Sequence, residues 1–308
     1  MHAYVRAMRF PPLLGAGARV ALVAPSGPLR GAADLERAIE NTRAFGWEPV
    51  TGAHVLERDG YFAGSDANRL ADFAAAAADD SIDGVWCIRG GYGAMRLLDA
   101  IDYDVWRWKP KALIGYSDIT ALHSAIGARA DLVTYHGPTA RAELTGLTGD
   151  SLRAAVSSGE TPYVVRHDDA VTLRAGCVRG RLAGGNLALV ASLAGTPYAV
   201  NLDGAILVLE DVNEAVYRID RMLVQLALTG ALAKCAGIVF GRFTEIPPDT
   251  TGAEQSPPLE RILQEVADRC RVPCIANAPF GHVDDQFTLP LGATAVLDAD
   301  QRTIVVER

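Results

Sequence analysis

The sequence has little cysteine, and its cysteines are spread too thinly to form a disulfide framework. Five occur in 308 residues: Cys87, Cys177, Cys235, Cys270 and Cys274. An odd number at wide spacing indicates free thiols in a reducing compartment. Only Cys270 and Cys274 lie close together in the sequence, and no other Cys or His stands near them to complete a zinc site. We therefore expect no disulfides, no metal and no cofactor.

Long apolar runs and basic clusters are also missing. No run approaches the roughly 20 residues that span a bilayer, and the stretch after Arg6 and Arg9 is broken by Pro11, Pro12 and Arg19, which argues against a signal peptide. Lys and Arg number 29 against 37 Asp and Glu, a formal net charge of −8. Such a chain is poorly suited to binding phosphate backbones. We expect a cytoplasmic protein that binds neither membranes nor nucleic acids.

Hydrophobic residues make up 49% of the chain and charged residues 21%, as in an ordinary folded protein. Short apolar runs at Arg19–Ala24, Gly84–Ile88 and Ala112–Gly115 read as buried strands, with helical spacing at Ala32–Phe45 and Asn68–Ala78 between them. This alternation predicts an α/β fold with a doubly wound parallel sheet.

The pattern changes after about residue 155, where short apolar strands such as Ala205–Leu209 and Gly237–Phe240 become denser. We predict a first domain over residues 1–165 and a smaller, β-rich α/β domain over residues 166–308. Within the second domain, Gly184-Gly185-Asn186 is expected to open a helix that runs through Leu193.

In open parallel sheets, ligands bind beyond the carboxyl ends of the strands. Ser117 stands at such an end, in Gly115-Tyr116-Ser117-Asp118-Ile119, which keeps the first glycine of a G-x-S-x-G nucleophile elbow and lacks the second. A serine on a strand-to-helix turn is exposed for attack, and the next backbone N–H can face an oxyanion. The alternative interpretation is that Ser117 or Asp118 only caps the following helix.

A serine nucleophile needs a base, usually a histidine held by a carboxylate. Of six histidines, His282 lies in a glycine-containing loop at a strand end and is best placed, with His136 second. Glu210 ends an apolar strand, where a carboxylate without a partner is costly, so it meets an imidazole or lies at the mouth of a cleft. Each of these residues also has a purely structural interpretation.

The glycine-rich turn Arg89-Gly90-Gly91-Tyr92-Gly93 follows a predicted strand directly. It matches neither G-x-G-x-x-G nor the phosphate loop G-x-x-x-x-G-K-[ST], so a nucleotide site is not indicated. Glycines let the backbone approach a ligand and present N–H groups to an anion. An oxyanion hole with a substrate-binding arginine fits the turn better, although a plain tight turn remains open.

Taken together, these segments resemble the serine LD-carboxypeptidase family (muramoyltetrapeptide carboxypeptidases), which also contains the microcin-C self-immunity peptidases. The matching pieces are Val23–Gly27, Arg89–Gly93, Ile114–Asp118, Gly184–Leu187, Leu209–Asp211 with Glu214 and Tyr217–Arg221, and Phe280–His282 with Leu289–Gly292. They follow one another in order through nearly the whole chain.

The resemblance implies a triad of Ser117, His282 and Glu210, with an oxyanion hole formed by the N–H groups of Gly90 and Asp118. It implies a flavodoxin-like N-terminal domain, a β-rich C-terminal domain, a site between them and a homodimer. The implied reaction releases terminal D-alanine from a murein tetrapeptide. Arg89, Gly91 and Tyr92 are the substrate-binding candidates, and Arg89 is the candidate for the free carboxylate.

Three alternative functions are less well supported by the sequence. Members of the immunity branch, which cleave aminoacyl nucleotide conjugates, carry an Asn after the glycine pair and a substrate-stacking Trp, and this chain has neither. A non-catalytic binding module would have no need of Ser117, Glu210 and His282 in that order. A cysteine amidotransferase is disfavoured because Cys87 lies within an apolar strand and not on an elbow.

Overall fold

The computed structural model describes residues 8–159, 163–166, 168–248 and 257–308. Its strands are β1 (Arg19–Val23), β2 (Glu48–Thr51), β3 (Gly84–Cys87), β4 (Ala112–Gly115), β5 (Thr134–His136), β6 (Tyr163–Arg166), β7 (Val171–Arg174), β8 (Cys177–Asn186), β9 (Ala205–Val212), β10 (Gly237–Thr244), β11 (Cys274–Ala276), β12 (Leu289–Leu291), β13 (Thr294–Asp298) and β14 (Thr303–Val306). Its α-helices are α1 (Ala32–Ala44), α2 (Asp66–Ala78), α3 (Tyr103–Trp108), α4 (Thr120–Ala130), α5 (Gly146–Arg153), α6 (Leu187–Leu193), α7 (Val216–Leu228) and α8 (Leu259–Cys270).

The first sheet has the order β12-β5-β4-β3-β1-β2, and its pairs are parallel except for β12 against β5. Alternate residues of β1 enter different cores. Ala21 lies in one buried cluster with Phe73 of α2 and Leu122 of α4, whereas Val20 lies in another with Ala38 of α1. Helices therefore cover both faces of the sheet, as in a doubly wound fold.

The second sheet has the order β6-β14-β13-β8-β9-β10-β11-β7. Its four central strands β8 to β11 are parallel, and antiparallel strands flank them on both sides. The predicted α/β class with parallel sheets is confirmed. The division at residue 165 remains a prediction. None of the helices in the described ranges is long and apolar enough to cross a membrane.

One local expectation is corrected. Gly184 and Gly185 do not open a helix, because β8 continues through Asn186 and α6 begins at Leu187. Gly184 has a φ of +135°, and a Cβ there would lie 2.0 Å from the carbonyl oxygen of Val208. The glycine pair thus allows β8 to lie against its neighbours. The short elements β5, α3 and α5 had no expectation attached to them, since each is only three to eight residues long.

Candidate active site

Ser117 lies directly beyond β4, in a short 3₁₀ turn over Ser117–Ile119 that leads into α4. Its backbone φ is +66°, in the left-handed region that residues with a Cβ rarely adopt. Holding a serine there costs about 1–3 kcal/mol, which the surrounding structure must offset. The turn is sharp because Gly115, at φ +159°, packs against Ile119 and Cys87 with no room for a Cβ. The strain and the strand-end position are those of a nucleophile elbow.

The glycine turn after β3 touches Ser117. A Cβ on Gly90 would lie 2.9 Å from the Cβ of Ser117 and 3.1 Å from its Oγ, so only glycine fits. The Gly90 carbonyl accepts a hydrogen bond from Gly27 N–H at 3.1 Å, which fixes the turn. Within the described residues, the N–H groups of Gly90 and Asp118 donate to no protein acceptor. Two free N–H groups beside the serine are suited to holding an oxyanion.

Glu210 and His282 form a close pair. Nδ1 of His282 lies 2.8 Å from Oε2 of Glu210, whose side chain is fully buried on β9. A carboxylate can only accept, so Nδ1 carries the proton and Nε2 is left with a basic lone pair. Gly281, at φ +103°, makes the approach possible because a Cβ there would lie 2.6 Å from that same oxygen.

Tyr116 joins this pair to the serine turn. Its ring centroid is 4.7 Å from that of His282, and its chain neighbour is Ser117. Burial raises the pKa of the Tyr116 hydroxyl to about 12, so it stays neutral. Within the described part of the chain, no hydrogen bond joins Ser117 Oγ to His282. Glu210 and His282 are thus in direct contact, and Tyr116 links them to the turn that carries Ser117.

His136 and His123 do not take the place of His282 beside Glu210. His136, the second candidate base, is buried on β5 behind Tyr116, and burial holds its pKa well below the usual value. Neither of its ring nitrogens has a hydrogen-bond partner in the described residues. Nε2 of His123 donates a hydrogen bond to the carbonyl of Gly115 at 2.8 Å, and this bond supports the turn that carries Ser117. His2 and His167 lie outside the described residues.

The three substrate-binding candidates lie along the glycine turn. Arg89 is half-buried and donates to the carbonyl of Pro28. Gly91, at φ +119°, packs its backbone on that of Gly27. The Tyr92 side chain is 53% exposed, and its ring centroid lies 5.5 Å from that of Tyr61. All three belong to the turn whose Gly90 contacts Ser117, and their role in binding substrate stays a prediction.

Sequence reasoning missed the part that the Asp118 carboxylate plays. That side chain is buried and accepts a hydrogen bond from Ala94 N–H at 2.8 Å, tying the segment after the glycine turn to the serine turn. Burial raises its pKa. The signal was a carboxylate next to Ile119 at the start of an apolar helix, where a buried acid needs a partner. No cluster of three or more potential metal ligands occurs in the described ranges.

Comparison with known families gives two matches that follow one another along the chain. The N-terminal domain of LD-carboxypeptidase (Peptidase_S66) matches residues 20–137, and the C-terminal domain of LD-carboxypeptidase (Peptidase_S66C) matches residues 179–297. Ser117 and Gly90 fall in the first range, and Glu210 and His282 fall in the second.

Full-length relatives carry related names. A murein tetrapeptide carboxypeptidase of Pseudomonas aeruginosa is 36% identical, covering 92% of this chain and 94% of its own. A protein of Bacillus subtilis named as a probable murein peptide carboxypeptidase is 34% identical, covering 96% and 94%.

Solved structures give the same picture of the fold. The muramoyltetrapeptide carboxypeptidase from Oxalobacter formigenes superimposes with a TM-score of 0.82 at 31% identity, over 94% of this chain and 98% of its own. The protein MccF in complex with glutamyl sulfamoyl guanosine superimposes with a TM-score of 0.87 over 98% and 99%, at 22% identity, and shares the fold.

Proposed function

The chain belongs to the LD-carboxypeptidase family, and from that premise we propose that it is a serine carboxypeptidase acting on murein tetrapeptides. The bond cleaved is the LD-peptide bond between an L-centred diamino acid and the terminal D-alanine. The observation that carries the proposal is the His282–Glu210 pair, 2.8 Å apart, beside the strained turn of Ser117.

Ser117 is the proposed nucleophile and His282 its base. Nε2 of His282 takes the hydroxyl proton as Oγ attacks the scissile carbonyl, and Glu210 holds the imidazole and stabilises its charged form. Burial of the carboxylate strengthens this interaction, because little solvent screens it. His282 then gives the proton to the leaving amine of D-alanine, and a water molecule hydrolyses the acyl-enzyme by the same route.

The proposed oxyanion hole consists of the N–H groups of Gly90 and Asp118. They come from two different strand ends, and neither has another protein acceptor in the part of the chain that the structure describes. Each such donor is worth about 3–4 kcal/mol of transition-state stabilisation in other hydrolases. Arg89, Gly91 and Tyr92 are the proposed substrate contacts, and Arg89 is the proposed contact of the free carboxylate.

The decisive experiment uses Ser117→Ala. Release of D-alanine from L-Ala-γ-D-Glu-meso-diaminopimelate-D-Ala is measured for the wild type and for Ser117→Ala, with the exposed Ser192→Ala as control. We expect loss of hydrolysis in Ser117→Ala alone, with thermal unfolding unchanged. Unchanged turnover in that variant would mean that the nucleophile is a different residue.

An aminoacyl sulfamoyl adenylate, the substrate type of the immunity branch, is assayed beside the peptide. If only this conjugate were cleaved, the proposed murein substrate would be wrong, whereas the proposed serine mechanism would still stand. Hydrolysis of neither compound would favour a binding module. A cytoplasmic location and a homodimer belong to the same proposal, and sedimentation of the purified chain tests the dimer.

A further inference from the structure

Several arginines gather at the sheet edge that carries Ser117, together with a smaller number of acids. The charges of Arg141, Arg30 and Arg58 all act on Arg89, and Asp34 is the acid acting with them. The charges that act most strongly on Arg89 are thus mainly positive, in a chain whose formal net charge is −8. This imbalance indicates a site for an anion.

Arg141 is held in place from its backbone. Nδ2 of Asn41 donates to the carbonyls on both sides of it, Ala140 at 2.7 Å and Ala142 at 2.8 Å. The N–H of Ala140 donates to the carbonyl of Cys87 at the end of β3, at 3.0 Å. A backbone fixed at three points presents the side chain in a defined direction, which reduces the entropy lost on binding.

The guanidinium of Arg141 has unused hydrogen-bonding capacity. Its Nε is buried and finds no acceptor in the described residues. Its Nη1 lies 3.5 Å from Oδ1 of Asp34, a long contact for a charged hydrogen bond. The Arg89 guanidinium donates only to the Pro28 carbonyl, and no carboxylate within the described ranges forms an ion pair with it. Both guanidinium groups, of Arg141 and Arg89, therefore have N–H donors left to bind an anion.

The segments that carry the two arginines follow the strands on either side of β4. Arg89 follows β3 and directly precedes Gly90, which touches Ser117, and Arg141 lies five residues beyond β5. Between these strands runs β4, which leads into Ser117. The charge of Arg141 also acts on the hydroxyl of Tyr116, the neighbour of the serine. An anion between the arginines is therefore close to the reacting bond.

We propose that Arg141 and Arg89 together form the subsite that binds the terminal carboxylate of the peptide, so that Arg141 is a specificity-determining residue. The proposal rests on the proposed carboxypeptidase function and deepens it. Planar guanidinium groups match a carboxylate in pairs of hydrogen bonds, whereas a neutral chain end offers no charge to them. The subsite thereby restricts the enzyme to the last residue of a peptide.

The test compares the tetrapeptide ending in D-alanine with the same peptide ending in D-alaninamide. Hydrolysis of both is measured for the wild type, Arg141→Gln, Arg141→Lys and Arg37→Gln, an exposed arginine on α1 that serves as control. Arg141→Gln should lower kcat/KM for the free acid by about tenfold to a hundredfold, mainly through KM. Its activity on the amide should stay within about twofold of the wild type, with Arg141→Lys intermediate on the acid.

Each outcome decides between the two proposals. Equal losses on acid and amide, or no loss on the acid, would overturn the subsite and leave the carboxypeptidase function standing. A wild type that hydrolyses neither peptide would overturn the function, and the subsite with it. Thermal unfolding of Arg141→Gln is measured separately as the check on folding, so that equal losses on acid and amide in a folded protein overturn the subsite.

Discussion

Single residues at the site are under geometric constraint. Ser117 occupies the left-handed region, where a residue with a Cβ pays for its conformation, and Gly90 packs on the Cβ of that serine. Strain at one residue and a close approach at the other have the same consequence, since both limit where Oγ can point. A serine hydroxyl is a weak nucleophile and needs a fixed orientation, because a misplaced Oγ raises the activation free energy of the attack.

At this scale we predict the effect of Gly90→Ala. The new methyl would lie 2.9 Å from the Cβ of Ser117, so the serine or the turn must move. A displacement of this size should lower kcat by about 100-fold. Gly146→Ala is the matched control, because nothing lies within 4 Å of a Cβ there. Equal activity of the two variants in the D-alanine release assay would contradict the packing argument.

At the scale of elements, Asp211 joins three of them. It lies on β9 next to Glu210, and its carboxylate accepts hydrogen bonds from Asn186 Nδ2 at the end of β8 and from Ala188 N–H at the start of α6. Burial raises its pKa to about 6, despite these donors. The Asp211 carboxylate, which links β9 to β8 and α6 beside Glu210, therefore changes its protonation state near pH 6.

The resulting pH dependence has a definite sign. An unfolded chain loses the Asp211 proton near pH 4, whereas the folded chain keeps it to about pH 6. Between these values the folded state binds more protons, so this group's contribution to stability falls as pH rises, by up to about 1.4 kcal/mol per pH unit. Urea unfolding of wild type and Asp211→Asn between pH 4 and 7 measures it. The wild type should lose stability relative to the variant up to about pH 6; a constant difference would refute the assignment.

At the scale of the whole molecule, the segment after His282 ties the two sheets together. Strand β12 pairs with β5 in the first sheet, although its chain neighbours β11 and β13 belong to the second. Thr148 of α5 anchors the approach to β12, because its hydroxyl donates to the Asp284 carbonyl at 2.8 Å and accepts from Gln286 N–H at 3.0 Å. The position of the base thus depends on the packing of both sheets.

We therefore expect Thr148→Val to act at a distance. The substitution keeps the side-chain shape and leaves the buried Gln286 N–H and the partly buried Asp284 carbonyl without their partner, which costs about 1–3 kcal/mol. Unfolding in urea should occur at a lower midpoint, and kcat should fall because the His282 loop is less fixed. Thr148→Ser keeps the hydroxyl and should restore both. If serine and valine behave alike, the hydroxyl is not the anchor.

Much of this arrangement could be predicted from the sequence. Apolar runs of four or five residues bounded by turn residues, such as those at β1 and β4, are typical of buried strands, and helical spacing between them predicts a parallel sheet. Ser117 could be predicted as a site residue because it follows such a run, and ligands bind beyond the carboxyl ends of parallel strands. Other features follow no local pattern. The three-residue strand β5 is defined by pairing with strands distant in sequence. Arg141 is positioned by Asn41, which binds the neighbouring backbone, and by Asp34, both about 100 residues earlier in the chain.

What the sequence by itself determined is the type of fold and the identity of the reactive groups, because strand and helix periodicity and the chemistry of Ser, His and Glu are local properties. What only the tertiary structure decided is their relation in space. The contact of His282 with Glu210 spans 72 residues, and the hydrogen bond from Gln286 N–H to the Thr148 hydroxyl spans 138. Contacts of this kind are set by how two sheets pack, since burial is a property of the whole assembly and no short stretch of chain encodes it.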